Sequence, residues 1–167
     1  IDELIAEAVR VGRLRATTDS GEAIRNTDLS FVCVGTPSQP NGNLDLKFIR
    51  RVCEQIGQAL KEKSTRHTIV VRSTILPGTM HQHVIPVLEE SSGKKAGVDF
   101  GVCHNPEFLR EGTAVKDFHA PPKTVIGELD KSSGDIVSAI YGHLDAPMIR
   151  TDLETAVPAH ATFAEYE

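Results

Sequence analysis

Hydrophobic positions along the chain follow two rhythms, one suited to helices and one to buried strands. Ile1, Leu4, Ile5 and Ala8 share one face of an opening helix. Leu29 to Val34 is a short, nearly continuous apolar run that stops at Gly35-Thr36-Pro37. Such a run, bounded by turn residues, predicts a buried strand ending in a loop. Asp45 is placed to cap the next helix, whose apolar face runs Ile49, Val52, Cys53, Ile56 and Leu60. A second strand, Thr68 to Arg72, ends at Ser73-Thr74. Pro77-Gly78 breaks the chain before a helix with Met80, Val84, Val87 and Leu88 on one side. A third strand, Val98 to Cys103, a fourth, Thr124 to Ile126, and a last short one, Pro147 to Arg150, follow. Between the last two, a helix turns Ile136, Val137, Ile140 and Leu144 inward.

Strands separated by helices predict parallel pairing, hence an α/β fold with a doubly wound, Rossmann-like sheet. Ligands of such sheets bind beyond the carboxyl ends of the strands. Three strand ends therefore carry the candidate chemistry: Gly35-Thr36-Pro37, Ser73-Thr74 and Asn105-Pro106-Glu107.

Composition narrows the partners. The chain has 167 residues, 40% hydrophobic and 25% charged, an ordinary balance for one packed domain. A net charge of -5 argues against nucleic acid or an anionic membrane as partner, since both need a basic face. No apolar run approaches the roughly 18 residues of a membrane span. Cys33, Cys53 and Cys103 are too scattered for a zinc site or a disulfide framework, and a reducing cytoplasm suits them. The strand and helix contexts of all three suggest buried, inert thiols. The histidines lack metal spacing, and His104, although near the third strand end, reads as a satisfied surface residue.

Each strand end admits a bland and a functional reading. Gly35-Thr36-Pro37 is either a turn with a capping Thr36 or a place where Thr36 meets a ribose or phosphate. The hydroxyls of Ser73 and Thr74 either bond the local backbone or hold a water or a cofactor edge. In Asn105 to Glu111, Glu107 and Glu111 lie four residues apart around Phe108, Leu109 and Arg110. They form either an exposed charged face on a short helix or a site. In a site, Glu107 beside Phe108 and Leu109 would be partly desolvated and suited to general-base work. Arg110 would pair with a carboxylate or reach a phosphate.

Three segments in this order resemble the UDP-glucose/GDP-mannose dehydrogenase family. They are Phe31-Val32-Cys33-Val34-Gly35-Thr36-Pro37, Val71-Arg72-Ser73-Thr74-Ile75-Leu76-Pro77-Gly78-Thr79, and Asn105-Pro106-Glu107-Phe108-Leu109-Arg110-Glu111-Gly112-Thr113-Ala114. The flanks Arg66-His67-Thr68 and Gly93 to Val102 look most like its GDP-mannose branch. The resemblance implies NAD as cofactor and oxidation of a nucleotide sugar, GDP-mannose or UDP-glucose, at C6 to a carboxylate. It implies that Thr36, Thr74 and Glu111 contact NAD. It further implies that Thr74 and Glu107 hold the water of the hydrolytic step, and that Glu107, Phe108, Leu109, Arg110 and Glu111 line the sugar nucleotide. Members of the family oligomerise.

The likeness runs over residues 1–156, read as part of an NAD-binding N-terminal domain, and residues 157–167 read as a divergent, fraying tail. The family's glycine fingerprint, first strands, central helix and nucleophilic Cys are not in this sequence. That pattern is expected of a truncated or frame-shifted reading frame whose product is inactive alone. The alternative expectation is a binding or scaffolding module, or a decayed gene product, that keeps part of the fold without the reaction.

Overall fold

The computed structural model describes residues 1–40 and 42–157. One sheet holds five strands: β1 (Leu29–Val32), β2 (Thr68–Val71), β3 (Gly101–His104), β4 (Thr124–Glu128) and β5 (Met148–Asp152). They lie side by side in sequence order. The tail expected from Pro158 onward, with His160, lies outside the described residues.

The expectation of parallel pairing holds for β1–β2, β2–β3 and β4–β5 and fails at β3–β4, which is antiparallel. The reason lies in the connection from Asn105 to Lys123. Its one helix, α5 (Ala114–His119), is a six-residue element and does not carry the chain back along the sheet. The chain stays at the carboxyl end of β3 and enters β4 there, so His104 pairs with Gly127 and Cys103 with Glu128. Only β1, β2 and β3 therefore end on the side where the three candidate segments lie. β4 and β5 end on the opposite side.

Helices cover both faces. α1 (Asp2–Arg10) forms as expected but buries none of its residues, and Leu4 and Ile5 stay exposed. α2 (Ser20–Arg25), absent from the sequence reading, is capped by Asp19, whose carboxylate accepts from the Glu22 N–H at 2.9 Å. α3 (Lys47–Leu60) buries Ile49, Cys53, Ile56 and Leu60 as expected. Asp45 serves its start by accepting from the Lys47 N–H at 3.0 Å, although Leu46 occupies the cap position itself. A π-helical turn, Met80–Val84, leads into α4 (Ile85–Ser92). Pro86 accounts for the widening, because its ring has no N–H to give and crowds the carbonyl four residues back.

The first core joins β1, β2 and β3 to α3 and α4 through Val32, Ile49, Leu60, Ile69, Val71, Leu88, Phe100 and Val102. The second, on the other face, joins Val70, Cys103 and Ile126 to Val137 and Tyr141 of α6 (Lys131–Tyr141). The inward stripe of α6 differs from the expected one. Ile136 and Ile140 are exposed, while Ser133, Gly134, Val137 and Tyr141 face the sheet. Small residues let the helix approach closely: a Cβ on Gly101 of β3 would lie 2.1 Å from the Ser133 hydroxyl oxygen. β3 also starts later than expected. Val98 is exposed in a turn where Asp99 accepts from the Lys95 N–H at 2.8 Å. A short helix, α7 (Leu153–Ala156), closes the described chain and is tied to the β2 exit by Glu154, which accepts from the Gly78 N–H at 2.7 Å.

Candidate functional site

The parallel set ends together, and its three loops enclose a cleft of about 380 Å³ lined by Cys33, Val34, Gly35, Thr36, Arg72, Ser73, Thr74 and Glu107. A larger depression of about 620 Å³, between α3 and the Met80–Val84 turn, includes none of these groups. The chemistry therefore selects the smaller cleft at the strand ends.

Hydrogen bonds knit the first two loops. The Ser73 hydroxyl donates to the Val34 carbonyl at 2.6 Å and accepts from the Val34 N–H at 2.9 Å. The Thr36 hydroxyl donates to the Thr74 carbonyl at 2.7 Å. Neither hydroxyl bonds its own loop as the bland reading expects: Ser73 is spent across the gap on the loop after β1, and Thr36 spends its proton on the loop after β2 while keeping its lone pairs. The Thr74 hydroxyl makes no hydrogen bond with the described residues and remains available to a ligand.

The third loop is not helical. Residues 105 to 110 run without regular structure, so Glu107 and Glu111 do not share a helix face. Glu107 is half-buried on the cleft wall, and its carboxylate has no hydrogen bond or ion pair with the described residues. Phe108 and Leu109 are half-buried beside it, with the Lys123 ammonium 5.6 Å from the Phe108 ring centre. Arg110 turns the other way. Its guanidinium meets Asp117 at 3.0 Å, and its backbone N–H donates to the same carboxylate at 3.1 Å. With the Thr113 hydroxyl added at 2.8 Å, these contacts hold the Asp117 carboxyl well below the usual carboxylate range, the Arg110 side chain contributing most. Glu111 is exposed outside the cleft lining, and Gly112, at a φ of 81°, turns the chain into α5 in a conformation that favours glycine. The structure therefore brings Thr36, Thr74 and Glu107 together, keeps Phe108 and Leu109 adjacent, and leaves Arg110 and Glu111 outside.

Two sequence expectations are corrected at the cleft. Cys33 is exposed, because β1 ends at Val32 and the next residue enters the cleft wall; only Cys53 and Cys103 are buried. Burial pushes the Cys53 and Cys103 thiols up to about 12. Partial burial also raises the Cys33 thiol, with Arg72 opposing that shift and Glu107 adding to it. His104 is buried rather than on the surface, and its Nδ1 donates to the Val71 carbonyl at 3.0 Å.

Beneath the cleft lies a cluster that motif reading passed over. Arg72 Nη1 donates to Asn105 Oδ1 and to the Tyr141 oxygen, each at 2.7 Å. The Tyr141 hydroxyl donates to Asn105 Oδ1 at 2.7 Å, and Asn105 Nδ2 donates to the Val125 carbonyl at 2.8 Å. This network seats the base of the Glu107 loop on β2, β4 and α6. A buried amide at the exit of a buried strand was the available signal, since such a group must find partners.

The residues present fit a dinucleotide: a hydroxyl unbonded among the described residues, a lone-pair-bearing hydroxyl and a glycine line one wall of an open cleft at strand ends. Comparison with known proteins agrees. The family model described as UDP-glucose/GDP-mannose dehydrogenase family, NAD binding domain, matches residues 1–145. The GDP-mannose 6-dehydrogenase of Pseudomonas savastanoi pv. phaseolicola is 61% identical over 156 residues, which are 93% of this chain and 36% of that protein. A ternary complex of GDP-mannose dehydrogenase from Pseudomonas aeruginosa superposes with a TM-score of 0.96 at 56% identity, over 98% of this chain and 37% of that one. A UDP-glucose dehydrogenase from Pyrobaculum islandicum gives 0.90 at 34% identity, over 97% and 37%. The chain thus spans about 36% of the length of the curated relatives it matches. Among the described residues no helix is long and apolar enough to cross a membrane. By its fold, its strand-end cleft and the match over residues 1–145, the chain belongs to the UDP-glucose/GDP-mannose dehydrogenase family, within that family's NAD binding domain.

Proposed function

We propose that the chain supplies the water-holding and nicotinamide-facing part of a nucleotide-sugar 6-dehydrogenase acting on GDP-mannose. The carrying observation is the convergence on one cleft, at neighbouring strand ends, of a Thr74 hydroxyl and a Glu107 carboxylate that have no partner among the described residues. A hydroxyl and a carboxylate so placed can hold one water between them, with Glu107 as the base that takes its proton. Greater likeness to GDP-mannose enzymes than to UDP-glucose enzymes supports the choice of sugar nucleotide.

Thr36 and Thr74 would hold the nicotinamide end of NAD, which when bound would accept the hydride leaving the sugar C6. Glu107, Phe108 and Leu109 would flank the sugar. Arg110 would act by holding the loop through Asp117, and Glu111 would reach the cofactor only by a movement of the Gly112 turn.

A chimera tests this reading. Residues 1–156 are placed in the Pseudomonas savastanoi enzyme in place of its matching segment, and NADH formation is followed with GDP-mannose. An active chimera that loses at least about a hundredfold in rate on Glu107→Gln is expected, the usual scale of a lost general base. A folded chimera that ignores GDP-mannose, or one that keeps its rate without the carboxylate, would overturn the proposal.

A further inference from the structure

Arg72 stands apart from the other arginines that bridge elements of the fold. It is half-buried, yet no carboxylate lies within ion-pair distance of it among the described residues. Its orientation is set by two neutral groups, Asn105 Oδ1 and the Tyr141 oxygen, which together take both N–H bonds of Nη1. Three donors remain, Nε–H and the two of Nη2, and none of them is sealed from solvent without a partner. Those donors form the side-on edge of the guanidinium, whose geometry matches the two oxygens of a carboxylate. Arg72 lines the same cleft as Thr74, Cys33 and Glu107. A cation withdrawn this far from water gains from an anion, and the described residues provide none at contact distance.

We propose that Arg72 is the anion-receiving group of the cleft and that its side-on edge takes a carboxylate. This deepens the dehydrogenase reading and rests on it for the identity of the ligand: the carboxylate is the one formed at the sugar C6. The alcohol entering the reaction is neutral there, and the product is not. A product carboxylate would face Glu107 across the cleft, and Arg72 offsets that repulsion. Asn105 and Tyr141 hold the fork in place without consuming its charge.

Cys33 supplies a reporter that needs neither NAD nor nucleotide sugar, so failure here and failure of the dehydrogenase reading are separate results. It is the exposed thiol, while Cys53 and Cys103 are buried. Native chain is alkylated with iodoacetate, itself a carboxylate, and in parallel with neutral iodoacetamide, with Cys33→Ser marking the fast phase. Both reagents attack the same thiolate, so its ionised fraction cancels from the ratio of rates. Arg72→Gln is expected to lower the iodoacetate-to-iodoacetamide ratio about threefold, the effect of one unit charge at roughly 6 Å in water-like screening. Glu107→Gln is expected to raise it. An unchanged ratio in folded Arg72→Gln overturns the proposal. If Arg72→Gln does not fold, wild-type chain decides: acetate must slow iodoacetamide at Cys33 saturably where chloride at equal ionic strength does not, and equal effects of the two salts overturn the proposal.

Discussion

Two half-buried arginines, one after β2 and one on β5, are treated in opposite ways. Arg150, on β5, meets Glu128 at 2.7 Å, also pairs with Asp135, and donates to the Lys131 carbonyl at 2.9 Å. The Asp135 carboxylate first, and Glu128 with it, raise its guanidinium above the ordinary range. Arg72, at the exit of β2, is held among the described residues by the neutral oxygens of Asn105 and Tyr141. Both are fixed in place, and only one has its charge compensated. A compensated arginine staples β5 to β4 and α6 and is finished as a structure. An oriented but uncompensated one keeps its charge for something that arrives later, and it lies at the carboxyl ends of the parallel strands, where ligands of such sheets bind.

Deleting each cation gives the largest expected contrast. Arg150→Met strands the Glu128 carboxylate, whose side chain is only 20% exposed, and is expected to cost about 2 kcal/mol of unfolding free energy. Arg72→Met removes two hydrogen bonds but also relieves the desolvation of an unpaired cation, and is expected to cost about 1 kcal/mol or less. Urea unfolding midpoints at neutral pH measure both. Equal losses would mean that Arg72 is as structural as Arg150 and would dissolve the contrast.

A smaller change should turn one arginine into the other. Asn105→Asp keeps the size of the side chain and the acceptor for Tyr141 while placing a carboxylate against Arg72, at the loss of the one donor to the Val125 carbonyl. The fold should persist, and the iodoacetate-to-iodoacetamide ratio at Cys33 should fall about as far as in Arg72→Gln, about threefold. A ratio that stays at the wild-type value would show that the charge of Arg72 does not govern what enters the cleft.

This contrast was not visible in the sequence, although the cleft was. The loops after β1 and β2 announced themselves because apolar runs ended abruptly at Gly35-Thr36-Pro37 and Ser73-Thr74, and turn chemistry is local. The Arg72–Tyr141 bond joins residues 69 positions apart, a distance at which no period or motif speaks. The antiparallel β3–β4 pair escaped for a related reason. Periodicity finds strands, but direction depends on whether the connecting segment crosses the sheet, and residues 105 to 123 spend their length on a loop and a six-residue helix. Apolar periodicity does not find the inward face of α6, because Ser133 and Gly134 are not apolar side chains, yet small size is what lets a helix lie close to β3. Cys33 continues the apolar pattern of β1 one residue past the point where the strand ends, so the pattern places it inside and the structure does not.

Arg110 is an intermediate case, an exposed arginine whose partner carboxylate is nearly buried, and its pair with Asp117 gives the smallest expected effect. The Asp117 carboxyl is depressed in the folded chain by Arg110 and Thr113. A depressed carboxyl contributes stability that is fully present above its unfolded value of about 3.9 and is lost as the pH falls toward the lower folded one. Asp117→Asn removes that titration while keeping a side-chain oxygen for Thr113 and the Arg110 N–H. Asp130, Asp135 and Asp152 are also depressed, but they titrate in both proteins and cancel from the difference. Thermal unfolding followed from about pH 6 down to about pH 3 should therefore show wild type losing melting temperature more steeply than Asp117→Asn below about pH 4. Parallel acid limbs would mean that the clasp contributes nothing to folding. The Glu107 loop would then hang on Asn105 and its neutral partners alone.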